Sequence, residues 1–264
     1  MTRLPSPAAP VPLLAAVAAL LVPTIACGDD TSDDPPEAGA PARTTAVIDP
    51  GDGGRYGPDI DPADFGGPID NPYLPLLPGA RWVYEGESDG ERERIEVVVT
   101  GDRRRVMGID AVVVRDTVTV DGELAEDTYD WFAQDAAGNV WYLGEESTEY
   151  EDGEAVGTEG SWEAGVDGAL PGIVMPAAPA VGDAYRQEFY EGEAEDLAEV
   201  LALDGRATIR GQARSDLLVT REWNPLEPGT VEEKSYAAGI GLVLEVVTAG
   251  GEGRIELVEF TAGG

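Results

Sequence analysis

The sequence predicts a mainly β fold, an antiparallel β-sandwich or an open barrel with one short helix, preceded by a disordered tether. Two observations carry the β assignment. In ERERIEVVVT, Ile95, Val97 and Val99 alternate with Arg94, Glu96 and Val98, the period-two signature of a strand with one buried face. AVVVRDTVTV repeats the pattern, and turn residues separate further β-rich runs at short intervals, as antiparallel neighbours require. A third observation bounds the core. About 190 residues follow Asn71, ample for one domain, and none of them is cysteine, so the core has to suffice without internal disulfides.

In chain order, residues 1–27 read as an export signal. Thr2 and Arg3 give a weakly positive start, and Leu13 to Val22 (LLAAVAALLV) is an apolar run too short to span a bilayer. Cys27, the only cysteine in 264 residues, follows the small Ala26 and precedes Gly-Asp-Asp. The stretch resembles the lipobox of a bacterial lipoprotein signal. It departs from that pattern at Thr24, where such signals usually carry Leu, so secretion without a lipid stays open. The resemblance implies a mature chain that begins at a lipidated Cys27, anchored to the cell membrane or outer membrane without spanning it.

Residues 28–68 are rich in Asp, Pro and Gly, with few large apolar side chains, and read as an acidic tether. DPGDGG and DIDPADF bring aspartates together but do not form an EF-hand loop. Ala63 stands where a third oxygen ligand would fall after Asp59 and Asp61. A single β-rich domain then covers 69–264. Further strand candidates are 81–86, 128–133, 139–143, 184–190, 207–213, 217–223, 231–236, 242–248 and 254–261. The short helix is expected in EAEDLAEVLAL, where Leu197, Val200 and Leu201 fall at helical spacing and Glu193, Glu195 and Asp196 suit the start of a helix dipole. On AVVVRDTVTV, Asp116 shares the face of Val112, Val114, Val118 and Val120. An inward carboxylate is unfavourable without a partner, so a bulge that turns it out, or an arginine that meets it, is expected.

Charge narrows the chemistry. With 17 basic and 52 acidic residues the net charge is −35, so nucleic acid is excluded as a partner, and the field favours cationic ligands or divalent metals. A solvated acidic surface that keeps an exported protein soluble explains the same charge. The chain has no histidine, which removes Ser-His-Asp triads, Cys-His pairs and His-ligated metals. No G-x-S-x-G elbow, phosphate loop or dinucleotide fingerprint occurs. Catalysis would rest on carboxylates alone, with Asp130, Glu145, Glu163 and Glu188 as glycosidase-type candidates, and no residue is assigned as catalytic.

Three stretches carry the binding candidates. DTYDWFAQDAAGNVWYLGE reads as a hairpin turned by QDAAGN, with Asp135 capping the loop. It places Tyr129, Trp131, Trp141 and Tyr142 among Asp130 and Glu145, a mixture suited to a sugar, an amine or a metal; cross-strand aromatic packing alone can explain the rings. GSWEAGVDGALPGIVMP is long and rich in Gly and Pro, yet holds Trp162, Glu163 and Met175, as a lid or a strap would. YRQEFYEGEAED adds Arg186 and Glu188, and Glu193, Glu195 and Asp196 form the one acidic cluster that could suit calcium, although its spacing matches no calcium motif. No cofactor is expected; calcium is the one left open.

NPYLPLLPGARWVYEG (71–86) resembles the opening of a set of uncharacterised exported bacterial lipoproteins, in which an NPY-Pro-Leu-x-Pro-Gly phrase leads into an aromatic first strand. YAAGIGLVLEV (236–246) is similar to their closing YA-x-G-x-G-L-V hairpin. The resemblance covers nearly all of 71–260. It implies an exported, mostly antiparallel β domain and supplies no catalytic residue. The reading that results is a membrane-anchored envelope lipoprotein whose β domain binds a small cationic or amphipathic ligand or a partner protein. Its alternatives are a structural or protein-interaction module without a small ligand, and a carboxylate-dependent hydrolase.

Overall fold

The computed structural model describes residues 56–264; Cys27, the apolar run before it and most of the tether lie outside the described residues. The described residues form fifteen strands: β1 Arg81–Ser88, β2 Glu91–Val106, β3 Ile109–Val120, β4 Glu123–Gln134, β5 Val140–Glu151, β6 Glu154–Gly157, β7 Trp162–Glu163, β8 Leu170–Met175, β9 Ala184–Arg186, β10 Glu188–Phe189, β11 Leu197–Ile209, β12 Gln212–Trp223, β13 Val231–Ala237, β14 Gly241–Ala249 and β15 Gly253–Thr261. All pairings are antiparallel, in the order β10-β8-β5-β4-β3-β2-β1-β15-β14-β13-β12-β11-β9, with β6 and β7 on β5.

The two ends of that order, β9 and β10, follow one another in the chain with only Gln187 between them. The sheet therefore rolls until its edges meet along one short stretch, which pairs with β11 through Ala184–Arg186 and with β8 through Glu188 and Phe189. It remains an open sheet that no ladder closes into a barrel, the open form of the two architectures expected. Two-residue periodicity makes this roll. The inward positions Trp82, Tyr84, Val97, Val114, Phe132, Val174, Tyr236 and Leu242 come from seven different strands and meet around a cavity of about 40 Å³.

One end of the roll is closed by the NPYLPLLPG segment. Leu76 is buried and Leu74 lines the cavity. Asn71 fixes the segment: its Nδ2 donates to the carbonyls of Gly138 (3.0 Å) and Pro176 (3.1 Å), its Oδ1 accepts from Tyr73 N, and its own N–H reaches Gln134. Asn71→Ala leaves two buried carbonyls short of a donor and should lower the unfolding free energy by about 1 to 3 kcal/mol in a urea titration. Part of the stretch read as tether also lies on the domain. Tyr56 Oη donates to Pro171 O at 2.7 Å, one turn of 3₁₀ helix forms at Pro62–Asp64, and Phe65 bridges to Asp135.

Two expectations are corrected. Residues 193–203 form no helix, because Leu197 to Leu201 belong to β11, which pairs with both β9 and β12. A register shift between Val200 and Ala202 breaks the alternation there, so the apolar positions drift into the three-and-four spacing that resembles a helix. The strand expected over 207–213 is interrupted by a hairpin turn: 207–209 end β11 and 212–213 begin β12, with Arg210 (φ 50°) and Gly211 (φ 76°) both left-handed at the tip. An arginine in that conformation gives no turn signal in sequence. The long β11–β12 arm folds back, and Ile209 and Leu217 pack on Val243 and Leu244 as a second small core.

Candidate functional site

Along β3, β4, β12, β13 and β14 the inward positions change character. Near the capped end they are apolar; further along they are ionisable, and they stay buried. On β3, Val114 is followed two residues on by Asp116; on β4, Phe132 is preceded by Asp130, Thr128 and Glu126; on β13, Tyr236 is preceded by Lys234; on β12, Leu218 is followed by Thr220 and Glu222. One interior thus has an apolar half and an acidic half.

The acidic half contains two clusters. In the first, the Tyr142 hydroxyl lies 2.6 Å from Asp130 Oδ1 and 2.8 Å from Glu145 Oε2, its ring stacks on Phe132, and Trp162 meets it edge-on at 5.3 Å. Trp162 Nε1 donates to Glu188 Oε2 at 3.0 Å. A hydroxyl carries one proton, so both Tyr142 contacts are hydrogen bonds only if one of the two carboxyls is protonated and donates to the phenol oxygen. Burial acts the same way, pushing Asp130 up to about 7 and Glu145 and Glu188 well above the carboxylate range. Beside them Thr128 donates to Glu126 Oε1 at 2.6 Å.

In the second cluster the chain's sole lysine is the centre. Lys234 Nζ lies 3.0 Å from Glu222, 3.6 Å from Glu232 and 3.6 Å from Glu245. Glu222 Oε1 also accepts from Thr220 (2.7 Å) and Tyr236 (3.2 Å). Asp116 lies between the two clusters, raised by burial and then by Asp130, Glu126 and Glu245. Only 4 % of it is exposed, and neither of its oxygens accepts a hydrogen bond from the protein. The sequence expectation of an outward turn or an arginine partner is overturned: β3 keeps its alternation through Asp116, and burial together with the acids around it raises its pKa, so that a proton and not an arginine offsets its charge.

No family model matches the chain, and no curated protein matches it. Among solved structures it is similar to the crystal structure of a "putative lipoprotein" from Parabacteroides distasonis ATCC 8503, with a TM-score of 0.40 and 11% identity over 72% of this chain and 98% of that one.

Of the candidate residues, the structure brings Asp130, Tyr142, Glu145, Trp162 and Glu188 together and scatters the others. Trp131 and Trp141 are buried in packing roles, Trp131 under the Arg104 guanidinium at 4.0 Å and Trp141 donating to Asp135 Oδ2. Tyr129 is exposed with Arg115 at 5.6 Å, Glu163 pairs with Arg104 at 2.6 Å on the outside, and Met175 is fully buried. Arg186 lies over Phe189 at 4.6 Å with Glu195 at 3.8 Å. The QDAAGN turn is as expected, Asp135 Oδ1 accepting from the N–H of Ala137 and Asn139. Glu193, Glu195 and Asp196 do not converge: Glu193 is exposed, Glu195 accepts from Gly192 N, and no group among the described residues has the arrangement of a metal site.

The residues that sequence reasoning missed are Glu126, Glu222, Lys234 and Glu245. For Glu126 and Lys234 the signal was parity: on EDTYDWF and EEKSY each shares the inward phase of the alternation, with Phe132 and Tyr236 respectively. A larger open groove, about 800 Å³, runs beside Arg92, Arg94 and Arg254, and these arginines pair with Asp121, Glu85 and Glu256.

Proposed function

We propose that the chain is an exported lipoprotein, anchored through Cys27, whose β domain is a binding module at the cell envelope. The observation that supports binding is the convergence of Asp130, Tyr142, Glu145 and Glu188, from three strands, on one buried acidic interior. Such an interior is unfavourable as mere packing, since apolar residues of similar volume fill a core at lower free energy. It favours a cationic ligand. Metabolic labelling with a palmitate analogue tests the anchor: label on the wild type and its loss in Cys27→Ala, with release of the protein to the medium, are expected. An unlabelled wild type in the medium would leave ordinary secretion.

A second reading, a structural module without a small ligand, is favoured by the burial of Trp131, Trp141 and Trp162, which makes the aromatic hairpin core instead of surface. The hydrolase reading is not supported. The phenol oxygen of Tyr142 fills the space between Asp130 and Glu145 that a glycosidic oxygen would need.

A further inference from the structure

The acidic interior carries an internal example of what it can hold. Lys234 brings one primary ammonium into the roll, and three carboxylates surround it at 3.0 to 3.6 Å. The neighbouring cluster has the same chemistry without a lysine. There, Asp130 on β4 lies within electrostatic reach of Asp116 on β3 and of Glu145 on β5, and the Tyr142 hydroxyl bridges Asp130 to Glu145. Their oxygens are under-supplied with donors: neither oxygen of Asp116 accepts a hydrogen bond, nor do Asp130 Oδ2 and Glu188 Oε1, while Tyr142 shares one proton between two carboxyls. The unpartnered carboxyl of Asp116 is more than nine-tenths buried and faces Asp130, Glu126 and Glu245, so it is aimed into the cluster and not at solvent.

Adjoining space exists as well. The 40 Å³ cavity is lined by Tyr84, Val114, Phe132, Gln187 and Tyr236, and three of these stand two residues from Asp116, Asp130 and Lys234 on their strands. Gln187 is next to Glu188 in the chain. The volume is far below the roughly 300 to 1,000 Å³ of sites for drug-sized ligands, yet sufficient for a body of one or two heavy atoms. No group among the described residues is arranged to ligate a metal directly, whereas an ammonium needs only acceptors at hydrogen-bond range, in no fixed coordination polyhedron.

We infer that the Asp116–Asp130–Glu145 half of the interior is a site for a small primary ammonium ion, held as Glu222, Glu232 and Glu245 hold the Lys234 side chain. The inference rests on the binding-module reading and names its ligand class. An ammonium N–H donates to Asp116 and to the free oxygen of Asp130, supplying the donors that the protein lacks there, with Glu145 next to Asp130 across the Tyr142 hydroxyl. A single methyl or methylene on the nitrogen would lie in the cavity.

The test is thermal unfolding of the full chain at pH 7.5 in methylammonium chloride, against equal concentrations of tetramethylammonium chloride, sodium chloride and, separately, calcium chloride. Tetramethylammonium has the same charge but no N–H donor and too large a body. Methylammonium should raise the midpoint saturably above both monovalent controls, by about 5 to 10 °C near 100 times its dissociation constant. Asp116→Asn should shift that response to at least tenfold higher concentration; Glu145→Gln serves if Asp116→Asn does not fold, and Glu163→Gln on the outer surface should leave the response in place. Equal rises in methylammonium and tetramethylammonium would mean surface screening alone and would overturn the assignment. A saturable, Asp116-dependent rise with calcium instead would keep the binding module and remove the ammonium. If no cation acts specifically the ammonium site is wrong, and if Asp116→Asn then also raises the midpoint, the carboxyls are a packing defect and the binding module falls with it.

Discussion

Replacing Lys234 with methionine should destabilise the fold by about 3 to 5 kcal/mol at neutral pH, the scale observed when one partner of a buried ion group is removed. The long apolar stem of methionine keeps the volume, so the loss reports charge and not a cavity. What remains is Glu222, Glu232 and Glu245, each within 3.6 Å of the missing ammonium. Burial already raises Glu232 and Glu245, and Lys234 is the group that opposes it. Without it those carboxyls take up protons more readily, so the penalty should shrink as the pH is lowered toward 5. Adding Glu222→Gln and Glu245→Gln to Lys234→Met should recover most of the stability, because the uncompensated charge is then gone. Urea titrations of the three proteins at pH 7 and pH 5 check this. A single-variant effect below about 1 kcal/mol would show the cluster to be solvated.

Stability should also fall as pH rises from about 4 to above 7, the reverse of the usual approach to a neutral maximum. Asp130 is raised to about 7 by burial, from an unfolded value near 4. Its contribution is fully present below the unfolded pKa. Between the two values the native state holds a proton that the unfolded chain has released, so the loss runs at roughly 1.4 kcal/mol per pH unit for one such group. Asp116, Glu145, Glu188 and Glu245, all pushed well above their ordinary range by burial, extend the fall beyond pH 7. Glu93 is likewise raised to about 7 by burial, although it is closer to solvent and screening reduces its share. Glu96 works in the opposite sense, since its hydrogen bond with Arg81 holds it below the ordinary value, but it is one group. The thermal midpoint should therefore peak near pH 4 to 5 and decline toward pH 8. In 1 M sodium chloride, where repulsion among surface carboxylates is screened, the decline should persist. A flat or rising profile at high salt would mean that the interior carboxyls are solvated.

How much of this was legible in the residues depended on whether parity survived. Ile95, Val97, Val99 and the valines of β3 alternate without interruption, and there strand, face and burial all follow from spacing. Around Val200 and Ala202 the shifted register breaks the alternation, and the same leucines read as a helix. Asp130, Tyr142, Glu145, Trp162 and Glu188 stood out by residue type, and the structure brings them together. Trp131 and Trp141 were chosen by the same criterion and prove to be packing, because nothing local reveals that Arg104 and Asp135 cover them. Lys234 and Glu222 were missed because their partners lie across neighbouring strands; only the inward phase of EEKSY marks Lys234 in advance. The meeting of β9 and β10 lay beyond local pattern, since it depends on how far thirteen strands curl.

That meeting has a consequence for self-association. A rolled but unclosed sheet should offer two runs of unpaired backbone N–H and C=O groups as templates for another chain. Here the terminal strands are three and two residues long, and a single glutamine joins them. At these two strands, a molecule that sought to extend the sheet would find its landing strip ended after one or two hydrogen bonds and continued, in the same chain, on the opposite rim. For a protein read as crowded on a membrane surface, the seam works as a guard against fibrous stacking.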